Sequence, residues 1–268
     1  MFYNSHCIVC GNIEQTQFFG QKYKLINGFL VGPGLIFNGA QLASVDLTGI
    51  IFNGSFAINV LGIPRLPDNY KLINQNIVGR NMILTGANFE FEYLSETDLR
   101  GVISGQVLAN ETTKLPENYK IIGGYVIGPE VILTGADLRD LDLSQTTLQR
   151  VVSGRVKTNK NTIFPDGYKE VLGYIVGKDV NLTGANLKGA DLRNVDMSNA
   201  ILSRVSSGKI RSNKNSKLPT DYIFANGFIV GPEVILGDAD MTNALLIGAF
   251  LKTVDVSKVT FKNTIFPE

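Results

Sequence analysis

Few side chains in this sequence could carry chemistry, and they do not converge. His6, Cys7 and Cys10 form a Cys-x-x-Cys with a neighbouring histidine, half of a zinc site or a redox pair. A structural zinc ion takes four ligands, and the chain holds no further Cys or His. A metal there would need two chains to share it. Asp137, Asp140, Asp142, Asp191, Asp196, Asp238 and Asp240 could supply an acid–base pair of the kind that cleaves glycosidic bonds. Basic neighbours such as Arg139 and Arg193 point instead to a solvated, charge-paired face. A single histidine near the terminus gives no support to a Ser-His-Asp triad. Thr85, Thr134 and Thr183 recur at one offset, but Asn38 and Gly237 break any flat threonine ladder, so they read as corner residues. No catalytic residue, cofactor or metal is expected.

What must position these side chains is a five-residue rhythm. From Val180 to Asn199 the chain reads VNLTG, ANLKG, ADLRN, VDMSN. The first place is Val or Ala, the second Asn or Asp, and the third Leu or Met. A period of five would smear the apolar places around an α-helix, which repeats near 3.6. In an extended segment, residues two apart share a face. Ala-x-Leu therefore sends two side chains inward, and the next two residues can turn a corner. Most of the aspartates above fall at the second place, which this geometry turns to solvent.

These fives resemble the pentapeptide repeat family, whose pattern is Ala-(Asp/Asn)-Leu-x-x. The resemblance implies an all-β fold: a right-handed parallel β-helix with four sides, one five per side and the central Leu or Phe stacked inside. One branch of that family acts as an acidic mimic of DNA. A net charge of +1 does not fit that role, and equally argues against a chain built mainly to bind nucleic acid.

Hydrophobic content of 44% with 18% charged residues belongs to a globular chain. No stretch approaches the roughly 18 apolar residues of a membrane span. The N-terminus lacks the basic head and apolar run of a signal peptide, and two cysteines make no disulfide framework. An intracellular setting, or one within a viral particle, is expected.

A longer period overlies the fives. Tyr23, Tyr70, Tyr119, Tyr168 and Tyr222 stand at equivalent places, spaced by 47, 49, 49 and 54 residues. After each comes an apolar segment and then a Gly signal, at Gly32, Gly79, Gly128, Gly177 and Gly231. A run of fives follows, then a dipeptide ending in Gly (Asn53-Gly54, Ser104-Gly105, Ser153-Gly154, Ser207-Gly208) and a polar link. The chain is thus one repeat solenoid over 1–268, in modules of roughly 1–65, 66–114, 115–163, 164–217 and 218–268. Asn27-Gly28 and Asn226-Gly227 are strong hairpin turns, while Asn74-Gln75 and Leu172-Gly173 are weak ones. The segment after each Tyr is either a protruding hairpin or a wide coil edge.

The polar links are chemically uneven. Arg155, Lys157 and Lys160 align with Lys209, Arg211 and Lys214, Lys217 follows, and neither link contains an acid. If the modules stack in register, these cations share one edge and could hold an anionic partner such as nucleic acid, a lipid headgroup or an acidic protein face. Neither end carries a helix-like cap, and Phe261 and Phe266 are apolar for a chain end. The expected function is non-catalytic: a structural or interaction protein that self-associates or binds other chains through its ends or surface, in an assembly such as a virion. The alternative is a module binding an anionic ligand through the basic edge.

Overall fold

A computed structural model describes residues 23–26 and 29–267. His6, Cys7, Cys10 and the Asn27-Gly28 turn lie outside the described residues. The chain divides into two compact units, Met1–Ile132 and Leu133–Glu268. Among the described residues the structure is all-β, without helix, so no helix is long and apolar enough to cross a membrane.

In both units the chain returns parallel to itself at intervals of twenty residues. Ile83 bridges Ile103 and Asn88 bridges Leu108 in the first unit; Asn181 bridges Ile201 and Asp191 bridges Arg211 in the second. Each of these four bridges carries a pair of backbone bonds, as where Arg211 N–H donates to Ala190 O and Leu192 N–H to Arg211 O, at 2.9 and 2.8 Å. Four fives therefore make one coil. At each corner a turn closes, with Ala190 N–H on Leu187 O and Val195 N–H on Leu192 O.

The second place of a five bridges to the next coil and points outward, while the first and third places fill the interior. Leu138, Leu143, Leu148, Leu182, Leu187, Leu192, Met197 and Leu202 are all buried, as the Ala-x-Leu reading requires. The preference for Asn or Asp at the second place has a local cause. Its side chain accepts the backbone N–H two residues on, which no coil neighbour reaches: Thr183 to Asn181, Lys188 to Asn186, Ser198 to Asp196, at 3.0, 3.2 and 3.0 Å. These are Asx turns that hold the corner.

The segment after each module's Tyr is an antiparallel hairpin. β1 (Lys24–Ile26) pairs with β2 (Phe29–Val31), β3 (Tyr70–Ile73) with β4 (Asn76–Gly79), and β5 (Lys120–Ile122) with β6 (Tyr125–Ile127). In the second unit β7 (Lys169–Val171) pairs with β8 (Tyr174–Val176), and β9 (Ile223–Ala225) with β10 (Phe228–Val230). Where the turn is described, both central residues have positive φ, including Asn74-Gln75 at 44° and 63° and Leu172-Gly173 at 53° and 81°. Gln and Leu rarely adopt that backbone. The hairpin is imposed by what its second strand packs on.

That second strand does not protrude. β4 is wholly buried, and Ile175, Val176, Ile229 and Val230 are fully enclosed. The serine of each Ser-Gly dipeptide receives it: Val126, Ile175 and Ile229 N–H donate to Ser104, Ser153 and Ser207 Oγ at 2.8, 2.9 and 2.9 Å. In the first module Ala57, not the expected Asn53-Gly54, occupies this place, because Phe56 stacks beneath Ile83 as Ile103 does beneath Ile132; Ile77 N–H donates to Ala57 O instead.

The recurrent Tyr and Gly clamp the hairpin base. A Cβ on Gly79, Gly128, Gly177 or Gly231 would come within 2.3–2.4 Å of the ring of Tyr70, Tyr119, Tyr168 or Tyr222, so only glycine allows the ring to lie there. The same four hydroxyls donate to Arg80, Pro129, Lys178 and Pro232 O.

The hairpins lengthen alternate coils. Ile103 bridges Ile132 and Val152 bridges Asn181, each across twenty-nine residues. In the first unit both fully described hairpins leave one column, Ile36–Phe56–Ile83–Ile103–Ile132. In the second unit β7–β8 lies between Val152 and Asn181, whose column continues to Ile201; β9–β10 lies between Ser206 and Ile235, one side further round with Asn186. The extra five in module four, visible as the spacing of 54, rotates its successor by one face.

Two outcomes test this frame. Leu187→Asp is expected to cost about 3–5 kcal/mol of folding stability and Lys188→Asp almost nothing, measured by denaturant titration. Burial, with the nearby charges of Asp98 and Glu130, pushes the Tyr119 hydroxyl up to about 12. The unfolded chain ionises near its ordinary value and the folded chain does not. Stability is therefore full below that value and falls as pH rises toward 12. Tyr119→Phe should show a shallower loss across this window in thermal melts; an unchanged slope would refute the assignment.

Candidate interaction surfaces

The seven cations of the polar links are all exposed in the second unit. The one-face rotation separates them. Lys157 bridges Asp137, on the side that follows the Val152–Asn181–Ile201 column; Arg211 bridges Asp191 and Lys217 bridges Asp196, one and two sides further on. The acid-free links are also answered from the coil beneath. Arg211 pairs with Asp191 at 3.1 Å and Lys217 with Asp196 at 2.8 Å. Arg155, Lys160, Lys209 and Lys214 make no ion pair among the described residues.

Asp137, Asp191 and Asp196 stand on the same ladder and are held ionised. Hydrogen bonding to Arg139 brings Asp137 down to about 2, and Lys217 does the same for Asp196. Asp191 is driven lower still, first by its bond to Arg193 and more weakly by Arg211. Such groups cap corners and pair cations, and none is poised to hold a proton at neutral pH. No group of three or more His, Cys, Asp or Glu able to hold a metal occurs among the described residues.

The links owe their composition to a closed loop. Asn159 N–H donates to Thr162 Oγ1, which donates to Leu138 O at 2.9 Å, while Asn159 Oδ1 accepts from Asp140 N–H at 3.1 Å. Asn213, Ser216, Leu192 and Asn194 repeat the arrangement, as do Asn110, Thr113, Phe89 and Phe91. The loop absorbs one extra residue, since Asp142 bridges Ile163 twenty-one positions away.

Phe261 and Phe266 lie ring to ring, 5.0 Å apart and tilted by 56°. Phe261 is half-buried against the core of the second unit, whereas Phe266 is 49% exposed. Beside them Ile265 bridges Leu245, and both side chains face water.

One surface has no counterpart in the sequence reading. The column Ile36–Phe56–Ile83–Ile103–Ile132 of the first unit consists of outward second places. Regular fives put Asn or Asp there. Ile36 is 54% exposed and the other four are half-buried. Five stacked apolar side chains form a continuous stripe along this side of the first unit. The signal lay in the triplets Leu35-Ile36-Phe37, Met82-Ile83-Leu84 and Val131-Ile132-Leu133, whose middle residue must face out if its neighbours face in.

Arg193→Gln should raise the Asp191 titration midpoint further than Arg211→Gln does, read from side-chain carboxyl chemical shifts, because the bond to Arg193 is the larger influence. The reverse order would show that the coil-to-coil pair dominates.

Residues 178–206 match the family model described as pentapeptide repeats, in 8 copies. Comparison with the curated proteins finds no match. Among solved structures, one similar chain is that of HetL, a pentapeptide repeat protein involved in heterocyst differentiation regulation from the cyanobacterium Nostoc sp. strain PCC 7120. It shares 17% identity, with 88% of this chain and 86% of HetL covered, at a TM-score of 0.23. At that distance the likeness transfers neither geometry nor role.

Proposed function

We propose that this chain, a pentapeptide-repeat protein, works by contact with other polypeptides and catalyses nothing. The reading takes each unit as a right-handed, four-sided β-helix whose polar groups are committed to corners and ladders. The observation that carries it is the outward stripe from Ile36 to Ile132. The fold gains little from apolar residues at water-facing second places, where Asn and Asp both hold the corner and keep the surface soluble. A continuous apolar stripe at outward places supports docking of a protein face. Ile265 and Phe266 of the second unit extend the same argument to its last coil.

The reading as a module for an anionic ligand draws less support. Arg211 and Lys217 are already paired, and Lys157 and Arg211 stand on different sides of the coil.

The test is sedimentation velocity with crosslinking at micromolar concentration, on the purified chain and in its native extract. Wild type should sediment as more than a monomer in at least one setting. Changing Ile83, Ile103 and Ile132 together to Thr, which keeps β-branching, should weaken this association without lowering the melting temperature by more than a few degrees. A monomeric wild type in both settings would defeat the reading.

A further inference from the structure

The closed loop of each link presents a corner of nearly identical backbone, and the chain has inverted its charge between units. In the second unit the two corners carry Arg139 with Lys160 and Arg193 with Lys214. At the matching places the first unit carries Glu90 with Glu111. The frame is the same in all three. Phe91, Asp140 and Asn194 N–H donate to Asn110, Asn159 and Asn213 Oδ1 at 3.2, 3.1 and 3.1 Å. The charge reversal is therefore free of any difference in scaffold.

The acidic corner also departs from its siblings in what it exposes. Phe91 takes the positive-φ place, at 65°, that Asp140 and Asn194 hold at 62° and 60°. Asp and Asn tolerate this backbone, and a bulky aromatic residue seldom does. Two residues on, Tyr93 stands where Asp142 and Asp196 stand in the second unit. Phe91 is 72% exposed and Tyr93 is 71% exposed. Glu92 and Glu96 flank them in the sequence, Lys114 bridges Tyr93, and Lys71 pairs with Glu96 at 3.5 Å. Four carboxylates against two lysines, with two open aromatic faces, make a seat for ammonium and guanidinium groups.

We propose that this acidic, aromatic corner of one copy seats a basic corner of the second unit of another copy, at Lys160 or Lys214. The two faces differ, so the association is heterologous. It rests on the reading that the chain works by contact, and it names one partner as the chain itself. Lys160 and Lys214 are exposed and make no ion pair among the described residues. Arg139 and Arg193 are held by Asp137 and Asp191. The lysines are thus the free charges, and the rings of Phe91 and Tyr93 add cation–π attraction.

Charge exchange provides the test. One variant carries Glu90→Arg with Glu111→Lys, so both of its units are basic at the corner. The other carries Lys160→Glu with Lys214→Glu, so the unpaired cation at each basic corner becomes a carboxylate. Each replacement copies the charge a sister corner already bears, and thermal melts establish that the variants fold. Glu90→Gln with Glu111→Gln serves as a milder companion. By sedimentation velocity at about 0.05 M salt, wild type should associate, and at about 0.5 M the association should weaken by about tenfold or more. Either variant alone should be at least about tenfold weaker than wild type, and their equimolar mixture should recover association. A wild type that is monomeric at low salt, a variant that self-associates as well as wild type, or a mixture that fails to recover would overturn the proposal. Association that ignores salt and the charge variants but is lost in the Ile-to-Thr stripe variant would refute this pairing and leave the contact reading intact.

Discussion

Everything in these two units follows from one constraint: a five-residue side must bury its first and third side chains and still turn a corner whose amide no neighbouring coil can reach. Burial of the third residue fixes which way the second points. The orphan amide then selects Asn or Asp there, because only a short side chain with an acceptor reaches two residues ahead, as Asn186 does for Lys188. Coil spacing supplies the parallel bonds above and below. Interior, corner and ladder are satisfied together, so the repeat tolerates variation almost nowhere except at the outward places and in the insertions.

The hairpins obey the same accounting. The seven to nine extra residues per alternate coil would leave unpaired backbone if they merely widened a corner. Folding them into β3–β4 or β7–β8 pairs the strands with each other, and Ser153 or Ala57 takes the remaining donor from the second strand. The Tyr–Gly clamp fixes the base. Because register depends on the number of fives between insertions, a single extra five in the second unit is enough to move a hairpin to the next side. That step decides which surface residues become neighbours.

Much of this was legible in the sequence. Leu182, Leu187, Leu192 and Met197 announce the interior, because period-two burial within a period-five repeat admits no other face. Leu172-Gly173 did not announce its turn. Local propensity there is weak, and tertiary packing of Ile175 and Val176 overrides it. The shared edge of cations failed for a physical reason: module alignment compares residues along the chain, while neighbours are set by coil count, which the spacing of 54 had already changed. Likewise, Asp191 and Asp196 answer Arg211 and Lys217 from a coil below, at a separation no linear reading of the link inspects. The apolar stripe was hidden in triplets such as Val131-Ile132-Leu133, which read as core until the alternation of faces is applied to the middle residue.

What distinguishes the surface from the scaffold is that some outward residues serve nothing inside the molecule. The most direct test of that claim is hydroxyl-radical footprinting of the dilute chain and of its associated form, read residue by residue by mass spectrometry. Contact through the stripe predicts that Phe56, Ile83, Ile103 and Ile132 are oxidised in the dilute chain and protected on association, while Leu187 stays silent in both. Oxidation of the stripe that does not change on association would contradict it.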